Sequence, residues 1–470
     1  MENIRKHALR SLPAMDELLQ QKFVRAYAQE LGRETVKDLL KGIIDGIRKD
    51  ILAGNLDNVD LNYINHMAES KIGKLCTRSL RKVINATGVV VHTNLGRSCL
   101  ANQAVDAVRE VAANYSTLEY DLEEGKRGQR NSHVEWLLCQ VTGAEAALVV
   151  NNNAGAVMLC LAALARDREV VVSRGELVEI GGSFRIPEIM AFSGANLVEV
   201  GATNRTHLQD YEEVVTGDTV MFLKVHPSNF RIEGFCSVVP RIDLAKSAHD
   251  KGLIFMEDLG SGILLDVSNF NLSGEPTVGE CIRAGVDIVT FSGDKMLGGP
   301  QIGGIVGKKN MVDKLRKYPL LRALRVDKMT LAAFETTLRM YLKGQWKDIP
   351  TLAMLSLSME QMKRKASSIA RRLKKIIPEA NIRVVEVEDA VGGGAFPETP
   401  LKGYGISINN HPLGSAGTLQ AILRRGAIPV IIGASDDSAV IHVRTLREGD
   451  DKLLLKAFSS LRIQGGEYSE

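Results

Sequence analysis

The sequence predicts an α/β fold: a mostly parallel sheet covered on both faces, preceded by a helical segment and followed by a smaller α+β domain. Three observations predict it. From about residue 85, apolar runs of four to six residues alternate with amphipathic helical stretches, the pattern of strands buried on both sides. Gly is plentiful, at 43 of 470 residues, and aromatics make up only 5%, which suits tight loops at strand ends. Charged residues at 24% and hydrophobic residues at 45% are the balance of a globular protein and disfavour a disordered or fibrous chain.

Residues 1–84 read as helical. Leu9, Leu12, Met15 and Leu18 recur at helical spacing, as do Val36, Leu39, Leu40, Ile43 and Ile44. Asn55 to Asn58 breaks the pattern, and a further helix is expected from Asp60 to Leu80. In it Lys71, Lys74, Arg78 and Arg81 would share one face, either as a solvated face or as a basic contact surface. The core is expected over 85–340. Its strands are Ala146–Val150, Val170–Ser173, Asn196–Val200, Val220–Val225, Ile254–Met256 and Ile288–Phe291, with helices such as Ala154–Ala165 and Arg241–Lys251 between them. Such sheets carry their chemistry in loops at the strand C-termini. Helical pattern returns over Leu315–Leu342 and Met354–Ile377. The small domain is expected over 341–470. It has a loop at Gly392–Gly394, strands at Gly405–Ile408, Ile428–Ile432 and Ala439–Val443, and helices at Pro412–Arg424 and Asp450–Leu461.

No run approaches the roughly 18 apolar residues of a membrane span, and the opening MENIRKHALRSLP has no signal-peptide core. The six Cys are scattered without a CxxC pair, and the nine His form no HExxH, so neither a disulfide framework nor a metal site is expected. A cytoplasmic location follows as the expectation. Net charge is only +3, but it is uneven: from Lys308 to Lys375 eighteen Lys and Arg stand against five Asp and Glu. Basic stripes of that kind bind phosphate backbones without reading sequence.

The segment "DIVTFSGDKMLGGPQIGGIVG" from Asp287 places Lys295 just beyond a buried strand, among small residues. A lysine so placed can hold pyridoxal phosphate as a Schiff base, or be an ordinary surface lysine. It is not a nucleotide P-loop, since GxxxxGK[ST] would need Gly at Ile302 and Ser or Thr at Lys309. Upstream, "IFMEDLGSG" ends a strand at Asp258, a carboxylate able to keep a pyridine nitrogen protonated; a metal ligand or helix cap also fits. Earlier still, Asn151-Asn152-Asn153-Ala154-Gly155 joins a strand to a helix, whose N-terminal N–H groups suit a phosphate. His226 follows another strand on the same rim, in either a cofactor or a structural role.

The wording around these positions is closer to one family. "RKVINATGVVVHTNLGRSC" from Arg81, "LEYDLEEGKRGQR" from Leu118, "VVNNNAGAV" from Val149, "FSGDKMLGGPQIGG" from Phe291 and "LRSLPAMDELL" from Leu9 together resemble the bacterial selenocysteine synthase family, the L-seryl-tRNA(Sec) selenium transferases. The resemblance covers nearly the whole chain, with small departures at Ala202 and Gly155. It implies an aspartate-aminotransferase-like (fold type I) pyridoxal-phosphate transferase with a helical N-terminal domain and a small α+β C-terminal domain. By motif, Lys295 becomes the pyridoxal lysine, with Asp258 the pyridine partner and Asp294 an aid to proton transfer or a loop cap. Asn152, Asn153, Ala154, Ser292 and His226 complete the expected cofactor set. The resemblance also implies an anion pocket of Arg97, Arg130, Arg322 and Arg325, whose planar guanidinium forks suit selenophosphate.

The implied reaction converts seryl-tRNA(Sec) to selenocysteinyl-tRNA(Sec) with selenophosphate, through an aminoacrylyl-tRNA intermediate. The implied partners are tRNA(Sec) charged with serine, on the N-terminal domain, and further copies of the chain, a dimer at least and a decamer by the resemblance. The Lys71–Arg81 stripe is the expected tRNA contact. Arg444 could be taken for a carboxylate-binding arginine but is expected to be structural, because the substrate carboxyl is esterified. Two other readings remain: a small-molecule β-eliminating lyase, and an inactive RNA-binding scaffold on an inherited fold.

Overall fold

The computed structural model describes residues 2–56, 59–76, 78–180, 184–230, 232–397, 399–409, 414–435 and 438–464. Two compact units emerge, residues 1–82 and 83–470. The first is helical, with Glu2–Arg10, Met15–Gln20, Lys22–Leu31, Arg33–Ala53 and Leu61–Cys76. Val36, Leu40, Ile43, Ile47 and Ile51 line one face of the long helix and bury against Leu18, Val24, Ile64 and Ile72. That helix stops at Gly54, whose φ of 78° ends it in the left-handed conformation. The expected break at Asn55–Asn58 falls partly outside the described residues. The next helix ends at Cys76, short of the expected Leu80. Lys71 and Lys74 are therefore helical, whereas Arg78 and Arg81 lie in extended or bent chain beyond it. The four-cation helical face does not form as expected.

In the second unit a seven-stranded sheet runs in the order Ala146–Val150, Gly303–Gly307, Ile288–Ser292, Ile254–Gly260, Thr219–Val225, Glu169–Ser173, Asn196–Val200. Only Gly303–Gly307 is antiparallel to its neighbours. Two apolar clusters cover the faces, one centred on Phe222, Phe255, Phe291 and Phe334, the other on Val150, Leu159, Val172 and Met256. Double coverage explains why these strands read as continuous apolar runs.

A second sheet has the order Ile84–Ala86, Val430–Ser435, Ser438–His442, Pro400–Asn409, Asn381–Gly392, Val89–Val91. Its outermost strands come from residues 84–91, just after the first unit, and pair with strands of the C-terminal region. The twelve-residue strand Asn381–Gly392 stands where the sequence suggested only a loop at its end. The expected continuous helical stretch Leu315–Leu342 is three helices: Lys309–Lys317, Leu320–Ala323 and Lys328–Leu342. Pro319 follows the first, and the Asp327 carboxylate caps the third by accepting from Met329 and Thr330 N–H. Met354–Ile377 likewise divides, at Ser358, which caps Met359–Ile376. The expected start of a helix at Pro412 lies outside the described residues, and the helix runs over Ala416–Arg425.

Candidate active site

Lys295 leaves the sheet through a narrow turn. The Ile288–Ser292 strand is buried throughout, and Ser292 at its end is 8% exposed. Gly293 N–H donates to Ile302 O at 3.0 Å and Gly298 N–H to Lys295 O at 3.1 Å, folding the Gly-rich chain back on itself. Ser98 pins this turn from the side: its Oγ donates to Lys295 O at 2.6 Å and its N–H to Asp294 O at 3.2 Å. Thr351 Oγ1 donates in turn to Ser98 Oγ at 3.0 Å. The Lys295 side chain is buried, 7% exposed. Burial draws its amine below the ordinary lysine range; Asp258, Asp294 and Glu275 oppose this and Arg97 adds to it.

Asp258 lies on the neighbouring strand in register with Thr290. Its Oδ1 accepts from Asn153 Nδ2 at 2.8 Å and from Thr290 Oγ1 at 3.2 Å. Burial pushes this carboxyl up, while Asn153, Lys295 and Thr290 favour its charged form. Asn153 begins the helix Asn153–Leu164, and Asn152 caps it by accepting from Gly155 N–H at 2.8 Å. The Asn153 and Ala154 N–H groups are thus first-turn donors of the kind that receive a phosphate. Gly303 lets this turn sit close to the sheet, since a Cβ there would lie 2.1 Å from Asn152 O. His226 N–H donates to Asp258 O at 2.9 Å. Burial drives the His226 ring down to about 4, so it is neutral near pH 7.

The four expected anion-binding arginines do not form one group. Arg97 donates to Asp294 Oδ2 at 2.6 Å, beside Lys295, from a left-handed backbone with φ 59°. A non-glycine residue held there signals a constrained position of the kind found at functional sites. Arg130 and Arg325 instead gather on Glu119. Arg130 Nε and Nη2 donate to Glu119 Oε1 at 3.2 and 2.9 Å, Arg325 Nη1 to the same oxygen at 3.4 Å, and Arg127 Nη2 to Oε2 at 3.0 Å. Burial works against ionisation of Glu119, but Arg130 and Arg127 outweigh it and hold the carboxyl below its usual range. Arg322 makes no side-chain hydrogen bond or ion pair among the described residues. The Leu324 carbonyl accepts from Asn151 N–H at 3.1 Å, which ties the Arg322–Arg325 segment to the helix turn at Asn152.

Comparison with known proteins gives this geometry a family. The model for "L-seryl-tRNA selenium transferase" matches residues 83–447, and that for "Selenocysteine synthase N terminal" matches residues 9–48. The chain belongs to the L-seryl-tRNA selenium transferase family. It is 49% identical over 464 residues to the L-seryl-tRNA(Sec) selenium transferase of Clostridium botulinum (strain Loch Maree / Type A3), covering 97% of this chain and 99% of that one. The corresponding protein of Clostridium perfringens (strain 13 / Type A) is 48% identical over 462 residues, with the same coverage. Among solved structures, D-glucosaminate-6-phosphate ammonia-lyase shares the fold with a TM-score of 0.57 and 20% identity, over 85% of this chain and 99% of that one.

Pyridoxal phosphate is the cofactor of this family, and the residues around Lys295 fit it. His226 Nδ1, Asn153 Oδ1 and Ser228 Oγ are buried without hydrogen-bond partners. All lie about Asp258 and Lys295: Asn153 bonds Asp258, and a Cβ on Gly260 would sit 3.7 Å from both Lys295 Nζ and Ser228 Oγ. Buried orphan groups are expensive unless a polar guest completes them. The sequence missed Ser98, Thr290, Glu119 and Glu275. Thr290 carried a faint signal as a lone hydroxyl inside an apolar strand; Ser98 and Glu275 have partners distant in sequence, whereas Glu119 stands within 11 residues of Arg127 and Arg130 and could have been found as their counter-charge.

Proposed function

We propose that this chain converts seryl-tRNA(Sec) to selenocysteinyl-tRNA(Sec), with selenophosphate as selenium donor and Lys295 as the reactive lysine. The observation that carries the reading is a buried lysine facing a buried aspartate in a pocket of unpartnered polar atoms, within a chain of this family. Bound pyridoxal phosphate supplies an electron sink for negative charge at the amino acid's Cα. Asp258 would keep the pyridine nitrogen protonated, its carboxylate already organised by Asn153 and Thr290. Asn152, through the helix turn it caps, with Asn153, Ala154 and Ser292, would hold the phosphate. Neutral His226 would lie against the cofactor. The Lys295 amine, when free, would take the Cα proton at Nζ; burial favours that role by disfavouring the ammonium form. Arg97 and Asp294 hold each other beside that amine, where Asp294 can relay the proton needed by the departing hydroxyl. Arg130, Arg322 and Arg325 bind the selenophosphate oxygens, with Glu119 holding the first and last in place until the anion arrives.

Arg444 favours an esterified substrate over a free amino acid. It is buried, and each of its three guanidinium nitrogens already donates, to Asp389 Oδ2 at 2.7 Å, Met354 O at 3.0 Å and Lys402 O at 2.6 Å. Its charge is already met by the buried Asp389 carboxylate. For the RNA, Lys71 and Lys74 on their helix, with Arg78 and Arg81 in the chain that follows, would meet the phosphate backbone. On the helix Met359–Ile376, an open groove of about 750 Å³ lined by Lys363, Arg364, Ser367, Ser368, Arg371 and Glu360 offers a second basic surface. The enzyme works in the cytoplasm as a homo-oligomer, a dimer at least and a decamer in full assembly, which light scattering would measure. None of the described helices is long and apolar enough to cross a membrane. The deciding experiment supplies seryl-tRNA(Sec) or free serine together with selenophosphate. Selenocysteinyl-tRNA(Sec) is expected only from the first, and turnover of free serine with no response to the tRNA would overturn the reading.

A further inference from the structure

One acid near Lys295 has no part in the chemistry above. Glu275 lies in the loop between the Ile254–Gly260 strand and the helix Val278–Arg283. The residue is half-buried, but its carboxyl is enclosed. Oε1 accepts a hydrogen bond from Phe396 N–H, and Oε2 is buried with no hydrogen-bond partner. Phe396 closes the turn after the Asn381–Gly392 strand and has a left-handed φ of 49°. Ala395 and Phe396 are buried in the same apolar cluster as Met296. Within this turn a Cβ on Gly394 would lie 2.4 Å from Lys295 Nζ. The segment that Glu275 grips is therefore the one that presses on the lysine.

Charge links the same two residues. The Lys295 ammonium favours the Glu275 carboxylate, and the carboxylate favours the ammonium. Burial is the larger influence on Glu275 and pushes its carboxyl up to about 7 against the Phe396 N–H and Lys295. The Ser261 hydroxyl is near enough to favour the carboxylate but completes no hydrogen bond. The other groups facing Lys295 are Asp258, Asp294 and Arg97, with His226 also in range. Asp258 and Asp294 are each bonded elsewhere, to Asn153 and Thr290 and to Arg97. Glu275 keeps one buried oxygen in reserve.

We propose that Glu275 is a positioning residue with two tasks: its Oε1 clasps the Gly392–Phe396 turn over Lys295, and its negative charge steadies the Lys295 ammonium whenever the amine is not joined to the cofactor. This rests on Lys295 being the reactive lysine. The two tasks separate by substitution, because Glu275→Gln keeps an acceptor for Phe396 N–H and loses the charge, whereas Glu275→Ala loses both.

The test uses the full chain and two readouts that need neither tRNA nor a selenium donor. The first is the rate of pyridoxal phosphate release from the loaded protein. Glu275→Ala is expected to release it at least roughly fivefold faster, and Glu275→Gln at close to the parent rate, as local opening governs escape. The second is modification of Lys295 by trinitrobenzenesulfonate in the cofactor-free protein as a function of pH. Its midpoint is expected to fall by roughly half a pH unit in Glu275→Gln, since an opposing charge has been removed. Release from Glu275→Ala at the parent rate would overturn the clasp, and an unmoved midpoint in Glu275→Gln would overturn the charge coupling. If Glu275→Ala does not fold, release and the midpoint in Glu275→Gln still decide: release as fast as several times the parent rate, or no shift, sinks the proposal. Lys295→Ala is the control. If it still takes up pyridoxal phosphate with the visible absorbance of the parent, the lysine assignment fails, and that failure is read separately from the Glu275 variants.

Discussion

Around Lys295 the charges are few and buried; around Glu119 they are numerous and lie at the surface. In the pocket, Lys295 and Asp258 are 7% and 3% exposed, and each favours the charged form of the other. At the rim, Arg127 and Arg325 remain largely open to solvent while sharing one carboxylate with the more enclosed Arg130. The difference is one of coupling. Charges in low dielectric act strongly and as a unit, whereas exposed charges act nearly independently and are screened by salt. Substitutions in the pocket should therefore be severe and non-additive, and those at the surface mild and close to additive.

The harshest test of the pocket is Lys295→Ala. Turnover should fall at least about a thousandfold, with loss of the visible absorbance of the loaded protein, since the proposed mechanism makes this one residue both cofactor anchor and proton acceptor. Asp258→Asn comes next. The amide keeps the shape but not the charge, so turnover should drop on the order of a hundredfold while the fold survives. Because the proposed mechanism has both groups serve one electron sink, the double variant should be scarcely worse than Lys295→Ala, and additive losses in a double-mutant cycle would break the picture of a coupled pocket.

His226 sharpens the same contrast through pH. Its folded-state value near 4 lies below the ordinary histidine value of 6.5. Between these values the unfolded chain binds the proton and the folded chain does not, so stability is full above about 6.5 and is lost as pH falls towards 4. The effect is at most about 3 kcal/mol. In urea titrations His226→Asn should flatten that stretch of the stability curve. An unchanged slope would mean that the ring is hydrated in solution and that the pocket is wetter than its packing suggests.

What the sequence disclosed divides along the same line. The strand ends that present His226, Asp258 and Ser292 were legible because doubly covered strands are written as continuous apolar runs, which mark their own positions. Lys295 and Asp258 were legible as residue types at such ends. The pairing of Asp258 with Thr290 and Asn153 depends on strand register and on a helix turn about a hundred residues away, and no local pattern encodes that. The Asn381–Gly392 strand was hidden because its Val-Glu alternation marks a half-exposed surface in place of an apolar run. Glu275 acquires meaning only from a partner brought by tertiary folding, and Glu119 gains Arg325 in the same way. The Lys71–Arg81 stripe failed for the opposite reason: the spacing suited a helix, but the helix had already ended at Cys76.

At the rim, Arg130→Gln removes two donors from Glu119 and one from the Val326 carbonyl. The apparent KM for selenophosphate should rise roughly tenfold with kcat little altered, the size expected for charge-assisted hydrogen bonds at a partly solvated site. Glu119→Gln, which leaves the arginines in place without their internal anion, should move KM far less. If it moved KM as much as Arg130→Gln, Glu119 would be part of the binding surface and the rim would be as coupled as the pocket.

The mildest effects are expected from the cations proposed to meet the RNA. Lys71→Glu with Lys74→Glu, and separately Arg364→Glu with Arg371→Glu, should each weaken seryl-tRNA(Sec) binding several-fold. Each should also reduce the dependence of log Kd on log salt by about one for every phosphate that is no longer neutralised. Catalysis at saturating tRNA should be unaffected. The two pairs sit on different helices in different compact units, so their effects should add when combined. If only the Lys71 pair matters, the groove on Met359–Ile376 is merely a solvated face. If the losses multiply beyond additivity, the two surfaces grip the RNA in one concerted arrangement, and exposure alone does not make charges independent.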